Sequence, residues 1–313
     1  MLSRAILKIY VISLIFVSSI GFYLNFKWTK QFHPKSKLIN SSKIINPHNF
    51  SFILNPANSL CQNQKGTDIL LICLVEVTPC GFFERQQIRE TWANKSLFKN
   101  IRTVFLVGLS NNVSINQLLA EESQTYEDIV QEDFIDSYEN LTLKTIMGLK
   151  WLTEYCSNAK FALKTDDDVV VNMPVLERYI EKLECDKVYM GYTEVRPRVN
   201  RKKESKFYIS EKEYEKKFYD SYQFGVGYFL SKDLYSKFYN ESLYTKYLKF
   251  EDVYVGMLAK KLNVKPKKKN RFYSFNRKKS EKMTQCLKEK NDQIFLAYVY
   301  KDSFRKIWNC FFS

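Results

Sequence analysis

Three adjacent carboxylates, Asp166, Asp167 and Asp168, separate two apolar runs in FALKTDDDVVVN, residues 161–172. Like charges in contact repel, and an unpaired buried carboxylate is costly, so a metal ion, a basic partner or water must compensate them. In an extended chain Asp166 and Asp168 point to one side and Asp167 to the other. Two hard oxygen ligands on one side suit Mg²⁺ or Mn²⁺, which commonly also take oxygens from a diphosphate. The bland alternative is a solvated acidic turn neutralised by Lys160 or Lys164, and the continuing apolar run Val169 to Val171 weighs against it. A second acidic pair, Glu251 and Asp252, opens the run KFEDVYVGMLAKKLNV, where Val255, Leu258 and Leu262 form an apolar helical face. Carboxylates at a helix start are favoured by its dipole. Asp252 can equally be held near a ligand as a general base.

The surrounding pattern says what must position these groups. DILLICLVEV (68–77), RTVFLVG (102–108) and AKFALK (159–164) have strand character. Helix-like stretches lie between them, at Arg85 to Trp92, Ile115 to Glu122 and Leu141 to Tyr155. Strands alternating with helices predict an α/β domain with a mainly parallel central sheet. Ligands in such folds bind beyond the carboxyl ends of the strands, where Asp166 to Asp168 stand. Cys156, ending one helix, and Cys185, following the helix-like Val175 to Leu183, are the expected disulfide, a brace for the acidic loop.

The chain has 313 residues, 45% of them apolar, with a net charge of +15, which suits an anionic ligand or membrane surface without choosing between them. Ile9 to Phe26 carries no charge and is long enough to span a bilayer; no small-residue cleavage site follows, so an uncleaved signal anchor is expected. Sequons at Asn40, Asn49, Asn94, Asn112, Asn140 and Asn240 and seven cysteines fit an oxidising lumen. The expected layout is a cytosolic tail (1–8), a membrane span (9–26), a polar luminal stem (27–66) and a folded domain (67–313). The basic tract KPKKKNRFYSFNRKK (265–279) could be a nucleic-acid patch, but the span and sequons argue for a solvated basic surface and no nucleic-acid partner.

Six segments, in order, resemble the β1,3-galactosyltransferase and β1,3-N-acetylglucosaminyltransferase family: RQQIRETW (85–92), FLVG (105–108), EDFIDSYENLTLKT (132–145), KTDDDVVVN (164–172), KFYIS (206–210) and EDVYVG (251–256). The resemblance covers roughly Thr67 to Trp308. It implies a GT-A-like nucleotide-sugar-binding fold and an inverting transferase that uses a UDP-sugar donor, a glycan acceptor on protein or lipid, and Mn²⁺ or Mg²⁺. By the same resemblance Asp168 is the metal ligand, Asp166 and Asp167 contact the nucleotide sugar, and Arg85 and Arg89 lie near the nucleotide. Asp252 is the base, with Glu251 as the alternative. Galactose is favoured over N-acetylglucosamine, in a Golgi membrane protein of type II orientation.

The sequence also departs from that pattern. Asp220 and Ser221 stand where the family usually has Pro-Pro, and Val226 occupies an often smaller position. Relatives often carry a His shortly before the C-terminal Ile-Trp. Here that place holds Ala297 or Tyr298, and the two histidines are His33 and His48. A catalytically inactive, lectin-like or scaffold member of the same fold is therefore the alternative reading.

Overall fold

Strand β2 (Leu71–Glu76) explains the architecture in miniature: all six of its residues are buried, and the five apolar ones alternate between two separate hydrophobic clusters. Ile72 and Leu74 face one side of the sheet, while Leu71, Cys73 and Val75 face the other. A strand apolar on both faces needs cover on both, and helices supply it. The computed structural model describes residues 43–275, 294–297, 299, 301–309 and 311. The expected cytosolic tail (1–8) and membrane span (9–26), with Asn40, Cys286, Cys310 and the end of the basic tract, lie outside the described residues. No described helix is long and apolar enough to cross a membrane.

The main sheet has eight strands in the order β1-β4-β3-β2-β5-β8-β7-β9. Their spans are β1 Phe52–Leu54, β3 Ile101–Leu109, β4 Ile129–Ile135, β5 Phe161–Asp166, β7 Tyr189–Glu194, β8 Tyr222–Ser231 and β9 Lys267–Lys268. β4, β3, β2 and β5 run parallel, as the alternating pattern predicts, and β9 is parallel to β7. β1–β4, β5–β8 and β7–β8 are antiparallel, so the sheet is mixed rather than mainly parallel. A smaller sheet joins β6 (Val170–Val171) to β11 (Phe295–Ala297) and β10 (Tyr273–Phe275). In the basic tract, Lys267 and Lys268 form the exposed edge strand, where lysines discourage further pairing.

Helices α1 (Phe82–Arg89), α2 (Val113–Tyr126), α3 (Leu141–Tyr155), α4 (Met173–Glu181), α5 (Tyr235–Ser242), α6 (Glu251–Lys261) and α7 (Lys301–Asn309) supply the layers. α3, α5 and α6 pack with one another over one face. α1 and α7 meet on the other side.

The structure corrects two expectations. Residues 44–66 are not a free stem: they belong to the same compact unit as the rest of the domain. β1 pairs with β4, Ala57, Leu60 and Cys61 are buried, and the His48 ring is hydrogen-bonded to the Glu132 carboxylate. Ile44, Ile45 and Ile53 there are exposed, but Phe50, Phe52, Ala57, Leu60 and Cys61 pack on the core, a contribution that the segment's average polarity hid. The disulfide is also different. Cys156 bonds Cys61, with Cα atoms 5.5 Å apart, whereas Cys185 is a free thiol whose Sγ donates to the Lys160 carbonyl at 2.9 Å. Cys156 ends α3 on the face that the 57–61 turn covers, which puts Cys61 within bonding distance.

Candidate active site

Asp166 closes β5, directly beside Glu76 at the end of β2, so two carboxylates meet at the carboxyl edge of adjacent parallel strands. One buried cation holds them. Lys164, 5% exposed, donates through Nζ to Asp166 Oδ1 at 2.7 Å, Glu251 Oε1 at 2.8 Å and the Gly225 carbonyl at 2.9 Å, and lies 3.1 Å from Glu76 Oε2. Burial alone would lower its pKa, but the carboxylates of Asp166, Glu251 and Glu76 hold it well above the ordinary lysine value. Lys164 and Asp166 are two apart on a strand and so share a face, which the sequence could have signalled.

The acidic pair separates into two environments. Glu251 is buried, its carboxylate bonded to Lys164 and reached by the Tyr228 hydroxyl at 3.2 Å and the Thr145 hydroxyl at 3.4 Å. Burial, with Glu76 and Asp252 adding to it against Lys164, raises its pKa well above the usual carboxylate value. With its oxygens bonded to Lys164, Tyr228 and Thr145, Glu251 braces the first turn of the helix while also bordering the cavity that Asp252 lines. Asp252 is half-buried and lines a cavity of ≈ 470 Å³ together with Asp166, Tyr138, Tyr222, Lys206 and Phe207. Its Oδ2 accepts from the Gly225 N–H at 3.2 Å and its Oδ1 from the Val253 N–H at 2.8 Å. Burial pushes its carboxyl up to about 6, while those N–H groups and Lys164 oppose the shift and Asp166 adds to it.

Gly225 makes this approach possible. A Cβ there would lie 2.6 Å from Glu251 Oε1 and 3.5 Å from Asp252 Oδ2, so only hydrogen leaves room for α6 to set its first turn against β8. Further along the helix a Cβ on Gly256 would meet the Tyr222 Cβ at 2.4 Å.

Beyond β5 the chain turns at Asp167 and Asp168 before β6 joins the second sheet, so these residues do not keep the extended alternation expected of them. Asp167 and Asp168 are half-buried, and the Asp168 carbonyl accepts from the Val299 N–H at 3.0 Å. Burial pushes the Asp167 carboxyl up to about 7, with Asp166, Asp168 and Glu84 reinforcing it and Lys144 opposing. Negative charge is thus in excess at the turn. Among the described residues no three His, Cys, Asp or Glu side chains converge on a single metal position. Two neighbouring carboxylates do fit a hard divalent cation that completes its shell with diphosphate oxygens and water.

Arg85 and Arg89, expected near the nucleotide, have their guanidinium groups engaged within the fold. Arg85 is fully buried and bonds Glu122 on α2 and the carbonyls of Thr78 and Pro79. Arg89 forms ion pairs with Glu122 and Asp128 at 2.6 and 2.7 Å and covers the Tyr126 ring. Both guanidiniums clamp α1 to α2. The Trp92 indole from the same segment donates to the Val169 carbonyl at 3.0 Å, which anchors the chain just past the acidic turn. Asp136 and Lys144 tie neighbouring loops in the same way. Asp136 accepts from the Gly108 N–H at 2.7 Å, and Lys144 bonds Asp136 and the Val77 carbonyl.

A galactosyltransferase family model matches residues 83–270, which takes in α1, the acidic turn and Asp252. The chain belongs to the galactosyltransferase family. Human beta-1,3-galactosyltransferase 1 is 36% identical over 270 residues, 85% of this chain and 79% of that protein. Human beta-1,3-galactosyltransferase 5 is 35% identical over 64% of this chain and 66% of its own length. Human lactosylceramide 1,3-N-acetyl-beta-D-glucosaminyltransferase is 34% identical over 69% and 60%. Family membership fits the GT-A-like expectation, here with a mixed sheet.

Sequence reasoning did not find Lys164 as the hub, Gly225 as the contact glycine, or Tyr138 and Tyr222 as cavity walls. Of the described sequons, Asn49, Asn112 and Asn240 are exposed, while Asn94 and Asn140 are half-covered. The Asn112 side chain caps α2, and the Asn140 amide donates to the Ile135 carbonyl.

Proposed function

We propose that the chain is an inverting β1,3-hexosyltransferase that moves a sugar, with galactose favoured, from a UDP-sugar to a hydroxyl of a glycan on protein or lipid. The observation that carries this reading is Asp252: a carboxylate fixed by two N–H groups, set in a cavity beside Asp166, with its pKa raised to about 6. Such a group is ionised at neutral pH, yet more basic than an ordinary aspartate.

In the transfer, the acceptor oxygen bonds to the anomeric carbon while the bond to UDP breaks and its electron pair leaves on the diphosphate. Asp252 accepts the hydroxyl proton as that oxygen attacks. Attack opposite the leaving group turns an α-linked donor into a β product, and no covalent intermediate is needed. Lys164 fixes Asp166 and, through Glu251, the turn that carries Asp252, so the donor side and the base stay in register. Asp168, with Asp167 beside it, would hold a divalent cation, Mn²⁺ or Mg²⁺, which neutralises charge on the departing diphosphate.

The apolar run Ile9 to Phe26 and the sequons support a Golgi membrane protein with its catalytic domain in the lumen. A panel of UDP-sugars against a glycan array, with parent and Asp252→Asn, tests the reading. Sugar-specific transfer by the parent, lost in the variant, is expected; UDP release that ignores every acceptor overturns it.

A further inference from the structure

Beside the cavity that holds Asp252 lies a larger one, of ≈ 690 Å³. Its wall carries Arg196, Lys217, Lys260 and Lys265, together with the Lys216–Asp220 ion pair at 3.0 Å. Among the described residues none of the first four has a carboxylate partner; Arg196 covers only the Phe218 ring, at 6.0 Å. Four cations around a concavity with a single, already paired carboxylate repel one another, and an anion placed between them relieves that repulsion. The helix dipole accounts for a lysine at the end of α6, but it does not account for the loop cations Arg196, Lys217 and Lys265 that line the same space.

Tyr219 is common to the linings of both cavities. It is 7% exposed, and its hydroxyl is buried with no hydrogen-bond partner. Buried hydroxyls are ordinarily paired, so the missing partner points to a ligand oxygen. Lys260 follows Asp252 along the same helix by about 12 Å of rise, a separation an oligosaccharide can bridge. Asp220 and Ser221, which replace the family's usual Pro-Pro, belong to this second lining.

We propose that the second cavity is an acceptor subsite for an anionic substituent, a sulfate ester or carboxylate carried on the glycan one or more sugars from the reacting hydroxyl. It rests on the transferase reading above and adds the charge class of the acceptor. The guanidinium and ammonium groups hold the anion, and the Tyr219 hydroxyl meets the chain between the subsites.

The test compares kcat/KM for a sulfated oligosaccharide acceptor and its desulfated parent, using the full chain and the triple variant Lys217→Ser, Lys260→Ser, Lys265→Ser. The parent protein should prefer the sulfated acceptor by about tenfold at low salt, the combined effect of several weak ion pairs, with the preference fading at high salt. The triple variant should lose that preference and keep its rate on the desulfated acceptor. Calorimetry with the sulfated oligosaccharide alone, without donor, should show binding weakened about tenfold in the variant. Binding of this kind without transfer to any acceptor would support the subsite and defeat the transferase reading. Equal use of the two acceptors, together with equal calorimetric affinity in parent and variant, overturns the proposal. Lysine-dependent binding to anionic phospholipid vesicles without preference between the acceptors overturns it in favour of a membrane-facing surface.

Discussion

Replacing Asp252 by Asn should make the protein more stable and much less active, and the size of both effects follows from the site. Its carboxyl is raised from 3.8 to about 6, chiefly by burial. A folded pKa above the unfolded value means the ionised form destabilises the native state. The cost is absent below pH 3.8, grows as pH rises and is complete above about pH 6. A shift of that size corresponds to about 3 kcal/mol at neutral pH. Asn keeps the shape but offers one carbonyl oxygen where the carboxylate used two, against the N–H groups of Gly225 and Val253. Losing one of those bonds costs about 1 kcal/mol. The net gain is about 2 kcal/mol at pH 7.5, or about 5 °C in Tm for a domain of this size. Below pH 4 the electrostatic gain vanishes, and Asn should be worse by the lost bond. Turnover should meanwhile fall by about 10²–10⁴-fold with donor affinity nearly unchanged, because the lost interaction belongs to the transition state. Thermal unfolding at pH 7.5 and pH 4, with initial rates and UDP-sugar binding, measures every part. A variant that is less stable at both pH values, or that turns over like the parent, refutes the reasoning.

The pH profile of kcat/KM should fall with unit slope below about pH 6, as Asp252 takes up a proton; a flat profile from pH 5 to 8 would remove it as the base. Lys164→Met should cost about 3–5 kcal/mol, since Glu76, Asp166 and Glu251 would lose their shared cation, and a urea midpoint close to the parent's would contradict the hub role. Non-reducing peptide mapping should recover Cys61 joined to Cys156 and Cys185 as a thiol, and loss of the bridge across 95 residues should cost about 5 kcal/mol in the chain-entropy picture; a Cys156–Cys185 peptide would refute the pairing. Asp168→Ala should abolish the Mn²⁺-dependent part of UDP binding, and identical affinities with and without Mn²⁺ in the parent would favour a solvated acidic turn.

The parts read correctly from sequence share a physical cause, which is local periodicity backed by burial. Leu141 to Tyr155 is a helix over that span because its apolar residues recur every three to four positions against β2 and β3. β2, β3 and β5 follow their β-branched apolar runs to within a few residues. What failed needed long-range information. β8 runs antiparallel between β5 and β7, and nothing in YQFGVGYFLS specifies direction. Cys61 was hidden in a segment whose average polarity suggested a linker, although Phe50, Phe52 and Leu60 there supply the contacts. Arg85 and Arg89 have the chemistry for phosphate, and only the position of Glu122 and Asp128 shows that their donors are used inside the fold.

Lys164 shows why two motifs far apart in the chain behave as one site. Its single positive charge faces Glu76, Asp166 and Glu251, so this centre is short of positive charge if all three are ionised. The raised pKa values of Glu76 and Glu251, caused first by burial, are the response expected of carboxyls in that position. Protonation of either buried glutamate leaves Lys164 free to hold Asp166, which lines the cavity together with Glu251 and Asp252. Asp252, without a direct bond to the lysine, feels only part of its field and stays basic. Had Asp252 been paired directly with Lys164, its pKa would fall and it would make a poorer proton acceptor. The sequence order Glu251 then Asp252 therefore matters: the first residue is bonded to the buried lysine, and the second, held by the N–H groups of Gly225 and Val253, lines the cavity without that bond.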